Sequence, residues 1–168
     1  MSGKPLRLGH QGEDVTIRPL MPADAPAARA LILEGLAEHW GTLDARLNSD
    51  LDDIPASYAS GLFLVAEIGG ALAGTGALIP EEPGVGRIVR MSVAREKRRQ
   101  GIGRLLLAAL LAAARERGYQ RIVLETTATW EDAIAFYRRA GFGPVGERDG
   151  DLHFVLELGA ETSGGDEP

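Results

Sequence analysis

The 168 residues carry 24 acidic against 18 basic side chains, a formal net charge of −6, which excludes a general nucleic-acid binder with its basic excess and fits one folded domain of ordinary size. Cysteine is absent, so disulfides, thiolate metal sites and a cysteine acyl-enzyme are excluded. The longest apolar run, residues 105–114, falls short of the ~20 residues that span a bilayer, and without an apolar leader the expected location is the cytoplasm, with no membrane partner.

Val15 and Ile17 alternate as in a strand, and Pro22 then marks a helix start, with Ala27, Leu31 and Ala30, Leu33, Leu36 at helical spacing. "NSDLDDIPASYASG" reads as a short helix with Asn48, Ser49 and Asp50 as caps, broken near Pro55 and ending at Gly61. "LFLVAEIGGALAGTGALI" is two apolar runs about Gly69-Gly70, a two-residue hairpin, and "GRIVRMSV" is the third strand of that meander. A helix over 101–117, the strand "RIVLETT", the helix "WEDAIAFYRRAG" closed by Gly141, and the strands "GPVGE" and "LHFVLEL" follow. This order predicts a mixed α/β (α+β) domain rather than the strict alternation of a doubly wound sheet. The domain is expected over residues 14–158, with a flexible segment over 1–13 and a disordered, Gly-rich tail over 159–168.

Between Arg87 and Arg104 stand seven basic residues (Arg87, Arg90, Arg95, Lys97, Arg98, Arg99, Arg104) against Glu96, a local excess of +6 in an acidic chain. Within it, Arg98, Gly101 and Gly103 spell R-x-x-G-x-G at a strand-to-helix junction. Glycines there let a ligand approach the backbone, and the unpaired N–H groups and positive end of the helix suit a diphosphate. From the residues alone the stretch reads equally as a phosphate cradle or a basic turn ahead of a core helix. A Rossmann fingerprint lacks its third glycine, Leu106 standing there, although Glu125 could pose as the ribose acid; a Walker loop lacks its Gly-Lys-Ser/Thr.

The stretch "RMSVAREKRRQGIGRLLL", the second stretch "AIAFYRRAGF" over 133–142 and the order of elements resemble the GNAT superfamily of N-acetyltransferases. The resemblance implies a mostly antiparallel central sheet flanked by helices, and acetyl-coenzyme A as the donor. It places pantetheine pairing on Met91, Ser92 and Val93, and pyrophosphate contacts on Arg98, Arg99, Gln100, Gly101, Ile102, Gly103 and Arg104. Trp130, where the family often has asparagine, is expected to stack on the cofactor, to line the acceptor pocket or to be a hydrophobic plug at the helix start, and Ala133 opens the second stretch on the cofactor side. Tyr137 matches the proton donor to the coenzyme A sulfur, and N–H groups near Met91 match the oxyanion donors.

Acetyl transfer to an amine needs a neutral amine, oxyanion stabilisation and a proton for the thiolate, and no enzyme nucleophile. Many relatives carry a glutamate where Arg87 stands here, which leaves Glu81 and Glu82 as bases acting through water, or as solvated loop charges of "PEEPG". The resemblance implies an acceptor lying against the first helices and the outer strands, which makes Glu34, His39, Trp40, Asp50, Asp52, Asp53 and Tyr58 the candidates; their acidity suits a cationic amine, and Arg87 and Arg90 suit a carboxylate or phosphonate on it. The expected acceptor is a primary amine of a small molecule, amino-acid-like among them, or of a peptide. His10, His39 and His153 lack metal-ligand spacing. Two other readings stand beside the enzyme: a non-catalytic coenzyme A sensor and a nucleotide-binding domain. A homodimer is allowed for.

Overall fold

A computed structural model describes residues 6–10 and 13–159. Its centre is an eight-stranded sheet in the order β1-β2-β3-β4-β5-β6-β8-β7. The strands are β1 (Leu6–His10), β2 (Glu13–Pro19), β3 (Leu62–Ile68), β4 (Ala71–Glu82), β5 (Val85–Val93), β6 (Arg121–Thr127), β7 (Gly143–Arg148) and β8 (Asp151–Glu157). Every neighbouring pair is antiparallel except β5 and β6, which are parallel because a helix crosses over between them. Part of the segment expected to be flexible is thus an edge strand, β1, paired with β2. From residue 160 the expected tail lies outside the described residues.

The β3–β4 hairpin turns on Gly69 and Gly70, at φ +59° and +83°, the left-handed pair that a two-residue turn requires. Helix α3 (Ile102–Glu116) buries Ile102, Leu106, Leu110 and Ala114, spaced four apart on one stripe. Glycines on β4 let it sit close. A Cβ on Gly74 would lie 2.9 Å from Leu106 Cδ1, and one on Gly76 2.9 Å from Leu110 Cδ1. Helix α4 (Glu131–Arg139) joins α3 on this face, with Glu131 and Asp132 in its first turn and Arg138 and Arg139 in its last, matching the helix dipole.

The opposite face is covered by α1 (Ala25–Trp40), a 3-10 stretch over Ala45–Asp53 and the single turn α2 (Ile54–Ser57). Ala28, Ile32, Leu51 and Ile54 pack there on Phe63, Val65 and Ala77. The stripe expected on α1 is displaced: Ala27 and Ala30 are exposed and Ala28 and Ile32 are buried. An alanine-rich helix is apolar nearly all round, so spacing does not single out its buried face. Pro22 opens a 3-10 turn, Pro22–Asp24, ahead of α1; its Asp24 carboxylate accepts the Met21 N–H at 2.8 Å and both terminal nitrogens of Arg18. Strand β4 runs through Pro80, Glu81 and Glu82, so the two glutamates, weighed as bases at the strand end or as loop charges, belong to the end of the strand.

Candidate active site

Strands β5 and β6 pair only over Val85–Arg87 with Arg121–Val123, and both continue beyond the last pair without bonding to each other. The sheet opens there as a wedge, with α3 and α4 on one side and the α1–α2 region on the other. Strand β5 also carries one extra residue against β4. Thr75 pairs with Ser92 and Ala77 with Val89, so Gly76 faces both Arg90 and Met91. Arg90 takes φ +58°, a left-handed conformation that costs a side-chain-bearing residue about 1–2 kcal/mol. The fully buried Thr75 hydroxyl donates to the Arg90 carbonyl at 2.8 Å.

At the wide end of the wedge, Ala94 N–H closes onto Ala73 O at 2.8 Å, and the chain makes a 3-10 turn over Arg95–Lys97. Arg99 and Gly101 follow at φ +64° and +85°, and α3 starts at Ile102 with no side chain capping it. Among the described residues no side chain therefore pairs with the first-turn N–H groups, which stand at the positive end of a long helix beside Arg98, Arg99 and Arg104. That donor set fits a diphosphate. Ile102 buries its side chain in the core, so only its backbone faces the loop. A Cβ on Gly103 would meet Phe136 at 3.5 Å and Val93 at 3.6 Å, ordinary van der Waals contacts, so a single methyl group would fit between α3, α4 and β5. Arg98 donates from Nε to Val93 O at 3.2 Å and from Nη1 to Glu38 at 2.7 Å, holding the Glu38 carboxyl below its ordinary range. Gln100 reaches the Glu96 carbonyl at 3.5 Å.

On α4, Ala133 is half-buried and Tyr137 is buried, its ring against Phe136, Phe142 and Phe154. No hydrogen bond reaches the Tyr137 hydroxyl among the described residues, and burial pushes its pKa well above the ordinary tyrosine value. At neutral pH the phenol is protonated. Trp130 precedes α4 and stacks on His39 at 4.1 Å, with Trp40 tilted against it at 5.9 Å. The last turn of α1 thus spans the wedge mouth, Glu38 tied to the glycine loop and His39 to α4.

On the α1 face of the wedge a cavity of about 450 Å³ is lined by Asp50, Ser57, Tyr58, Ile79, Ile88, Val89, Arg90 and Glu125. Arg90 grips both carboxylate oxygens of Asp50, at 2.9 and 2.6 Å, and Asn48 Oδ1 at 3.1 Å; the Tyr58 hydroxyl donates to Asp50 at 2.5 Å. Burial raises the Asp50 pKa, but the Arg90 and Tyr58 hydrogen bonds outweigh it and hold the carboxyl below its ordinary value. Arg87 forks onto Glu81 at 2.8 and 2.9 Å and also contacts Glu125.

The structure therefore joins Arg90, Asp50 and Tyr58 in one network and sets Arg87 against Glu81 and Glu125, outside the cavity lining, with both guanidinium groups spent on carboxylates. Glu81 is the partner of Arg87, held below its ordinary pKa by that hydrogen bond, and Glu82 is exposed at the β4–β5 turn. Neither lines the cavity. Glu34 is exposed on α1, and Asp52 is exposed with Arg29 at 3.9 Å; both lie outside the lining. Glu125, weighed in the sequence only as a ribose acid, is the carboxylate that faces the cavity from β6. One signal was available: in "RIVLETT" the alternation sets Glu125 on the face opposite Ile122 and Leu124, and its β8 partner is His153. Among the described residues no group of three or more His, Asp or Glu side chains could hold a metal, and no helix is long and apolar enough to cross a membrane.

The family model described as Acetyltransferase (GNAT) family matches residues 26–142. A probable N-acetyltransferase family 8 member 5 of Mus musculus is 39% identical over 108 residues, 60% of this chain and 48% of that relative. The chain spans about half the length of such relatives. Among solved structures, a GNAT-family acetyltransferase of Staphylococcus aureus superposes with a TM-score of 0.80 at 20% identity, covering 86% of this chain and 99% of that one. The PaiA N-acetyltransferase of Thermoplasma acidophilum, in complex with coenzyme A, superposes with a TM-score of 0.74 at 16% identity, covering 85% and 98%. With its family model over most of its length and the sheet of the structural neighbours, the chain belongs to the GNAT acetyltransferase family.

Proposed function

We propose that this chain transfers an acetyl group from acetyl-coenzyme A to a primary amine that arrives as a cation through the α1-face cavity. The observation that carries the reading is the wedge itself, which opens between an amide-rich loop at residues 98–104 and an acid-lined cavity. The donor supplies an activated thioester. The first N–H groups of α3 receive its diphosphate, with Arg98, Arg99 and Arg104 around the outer oxygens. Glu125 takes a proton from the incoming ammonium, so that the nitrogen can attack. Peptide N–H groups beside Met91 stabilise the developing oxyanion. As the C–N bond forms and the C–S bond breaks, Tyr137 gives its proton to sulfur, and the second proton lost by nitrogen restores the phenol.

The cavity surroundings carry Asp50, Glu81 and Glu125 against Arg87 and Arg90, and each arginine is already paired. A carboxylate on the acceptor has to break one of these pairs, whereas an ammonium does not. Polyamines and peptide N-termini are therefore preferred to free amino acids. Thiol release measured across polyamines, peptides, aminoglycosides and amino acids tests this, with the fastest release expected for acceptors of net positive charge. Coenzyme A binding without thiol release for any amine would leave a non-catalytic binding domain instead.

A further inference from the structure

Arg90 occupies a left-handed bulge position that glycine would take without strain, and its side chain is fully engaged. Its guanidinium ends on Asp50 and Asn48, both in the 3-10 stretch over Ala45–Asp53, and Tyr58 just beyond α2 closes the same network on Asp50. Behind it, the buried Thr75 hydroxyl fixes the Arg90 carbonyl. The bulge is thus held from two sides, through its backbone by β4 and through its side chain by the segment that walls the cavity. A glycine there would satisfy the φ angle and leave the peptide units free to turn.

We propose that Arg90 is a positioning residue: clamped by Asp50 and Tyr58, it fixes the direction of the peptide units beside Met91 and ties that direction to the cavity wall at residues 48–58. The proposal rests on the acyl-transfer reading for its catalytic consequence, and on the hydrogen-bond network alone for its structural one. Arg90 does not hold the acceptor. Its effect is transmitted through the backbone, so its loss lowers turnover and leaves binding of both substrates in place.

Two measurements on Arg90→Ala, Arg90→Gly and Asp50→Asn decide it. Steady-state kinetics with any amine that the wild type acetylates should show kcat reduced about 10- to 100-fold in Arg90→Ala, with the KM for amine and the affinity for coenzyme A within about threefold. Arg90→Gly, which accepts the left-handed angle but leaves the peptide units free to turn, should lose at least as much kcat as Arg90→Ala, and Asp50→Asn should fall between Arg90→Ala and the wild type. Equal rises in amine KM for Arg90→Ala and Arg90→Gly with unchanged kcat would make Arg90 an acceptor-binding residue and overturn the proposal. Amide hydrogen exchange needs no turnover. The segment 87–93 should exchange at least tenfold faster in Asp50→Asn and Arg90→Ala, with β2 and β3 unchanged. Unchanged exchange in 87–93 overturns the clamp whether or not the chain proves to be an acetyltransferase, whereas faster exchange with no acetyl transfer by the wild type would sink the functional reading alone.

Discussion

The two sides of the wedge are built differently. The glycine-loop side is one continuous stretch, residues 91–104, whose candidate ligand groups are backbone N–H donors at a helix start. The cavity side is assembled from side chains at 50, 58, 90 and 125, which no local pattern joins. A site made of backbone can be read from a short string because glycine spacing and helix position state its geometry. A site made of side chains appears only when the sheet register is known. Substitutions should therefore separate the two sides, disturbing donor binding on one and turnover on the other.

The largest separation is expected from Tyr137→Phe. Removal of a positioned acid should lower kcat by about 10²–10⁴-fold with coenzyme A affinity within a few-fold. Because burial raises the Tyr137 pKa, the wild-type profile should show no alkaline limb from this phenol below about pH 10. A limb near pH 8 that Tyr137→Phe abolishes would keep the acid role and contradict the raised pKa, whereas wild-type kcat in Tyr137→Phe would break the assignment.

On the loop side, Gly101→Val forces a β-branched residue to φ +85°, a strain on the order of 1–3 kcal/mol, or roughly a 10- to 100-fold loss of coenzyme A affinity if the helix start deforms. Both tryptophans of the chain, Trp40 and Trp130, stand at the wedge mouth, so their fluorescence reports the titration. Arg87→Ala on the cavity side should leave that affinity unchanged.

The glycine loop, the hairpin at Gly69-Gly70, α3, α4 and the strands from β2 onward along the chain were legible because each is a local matter of spacing, turn chemistry or helix caps. The buried face of α1 was not, since alanine gives no contrast between its sides. The roles of Glu81 and Glu125 were not legible either. Glu81 sits in "PEEPG", which reads as a turn, yet Pro80 pairs with Gly86 and carries the strand two residues further, handing Glu81 to Arg87. Glu125 enters the cavity only because β6 lies parallel to β5 and leaves it after three pairs. Long-range pairing decided both.

A smaller effect belongs to pH. The Asp50 carboxyl titrates below its unfolded value, so its contribution is present above about pH 4 and is lost as pH falls through the folded value. Asp50→Asn should cost about 1–2 kcal/mol at pH 7 in denaturant unfolding, and the difference from the wild type should shrink in acid. A constant difference at every pH would assign the loss to packing. The smallest effect is expected outside both regions, where Arg121→Ala removes the exposed pair with Glu157 and should change stability by less than about 0.5 kcal/mol.

The most direct measurement is the pH dependence of kcat/KM for Glu125→Gln with an amine that the wild type acetylates. If the cavity delivers the amine to Glu125, the variant should lose about 10²-fold near pH 7, keep its coenzyme A affinity, and recover as pH rises and the neutral amine becomes abundant in solution. Wild-type kcat/KM across the same pH range would contradict the account, leaving the cavity without a part in the reaction.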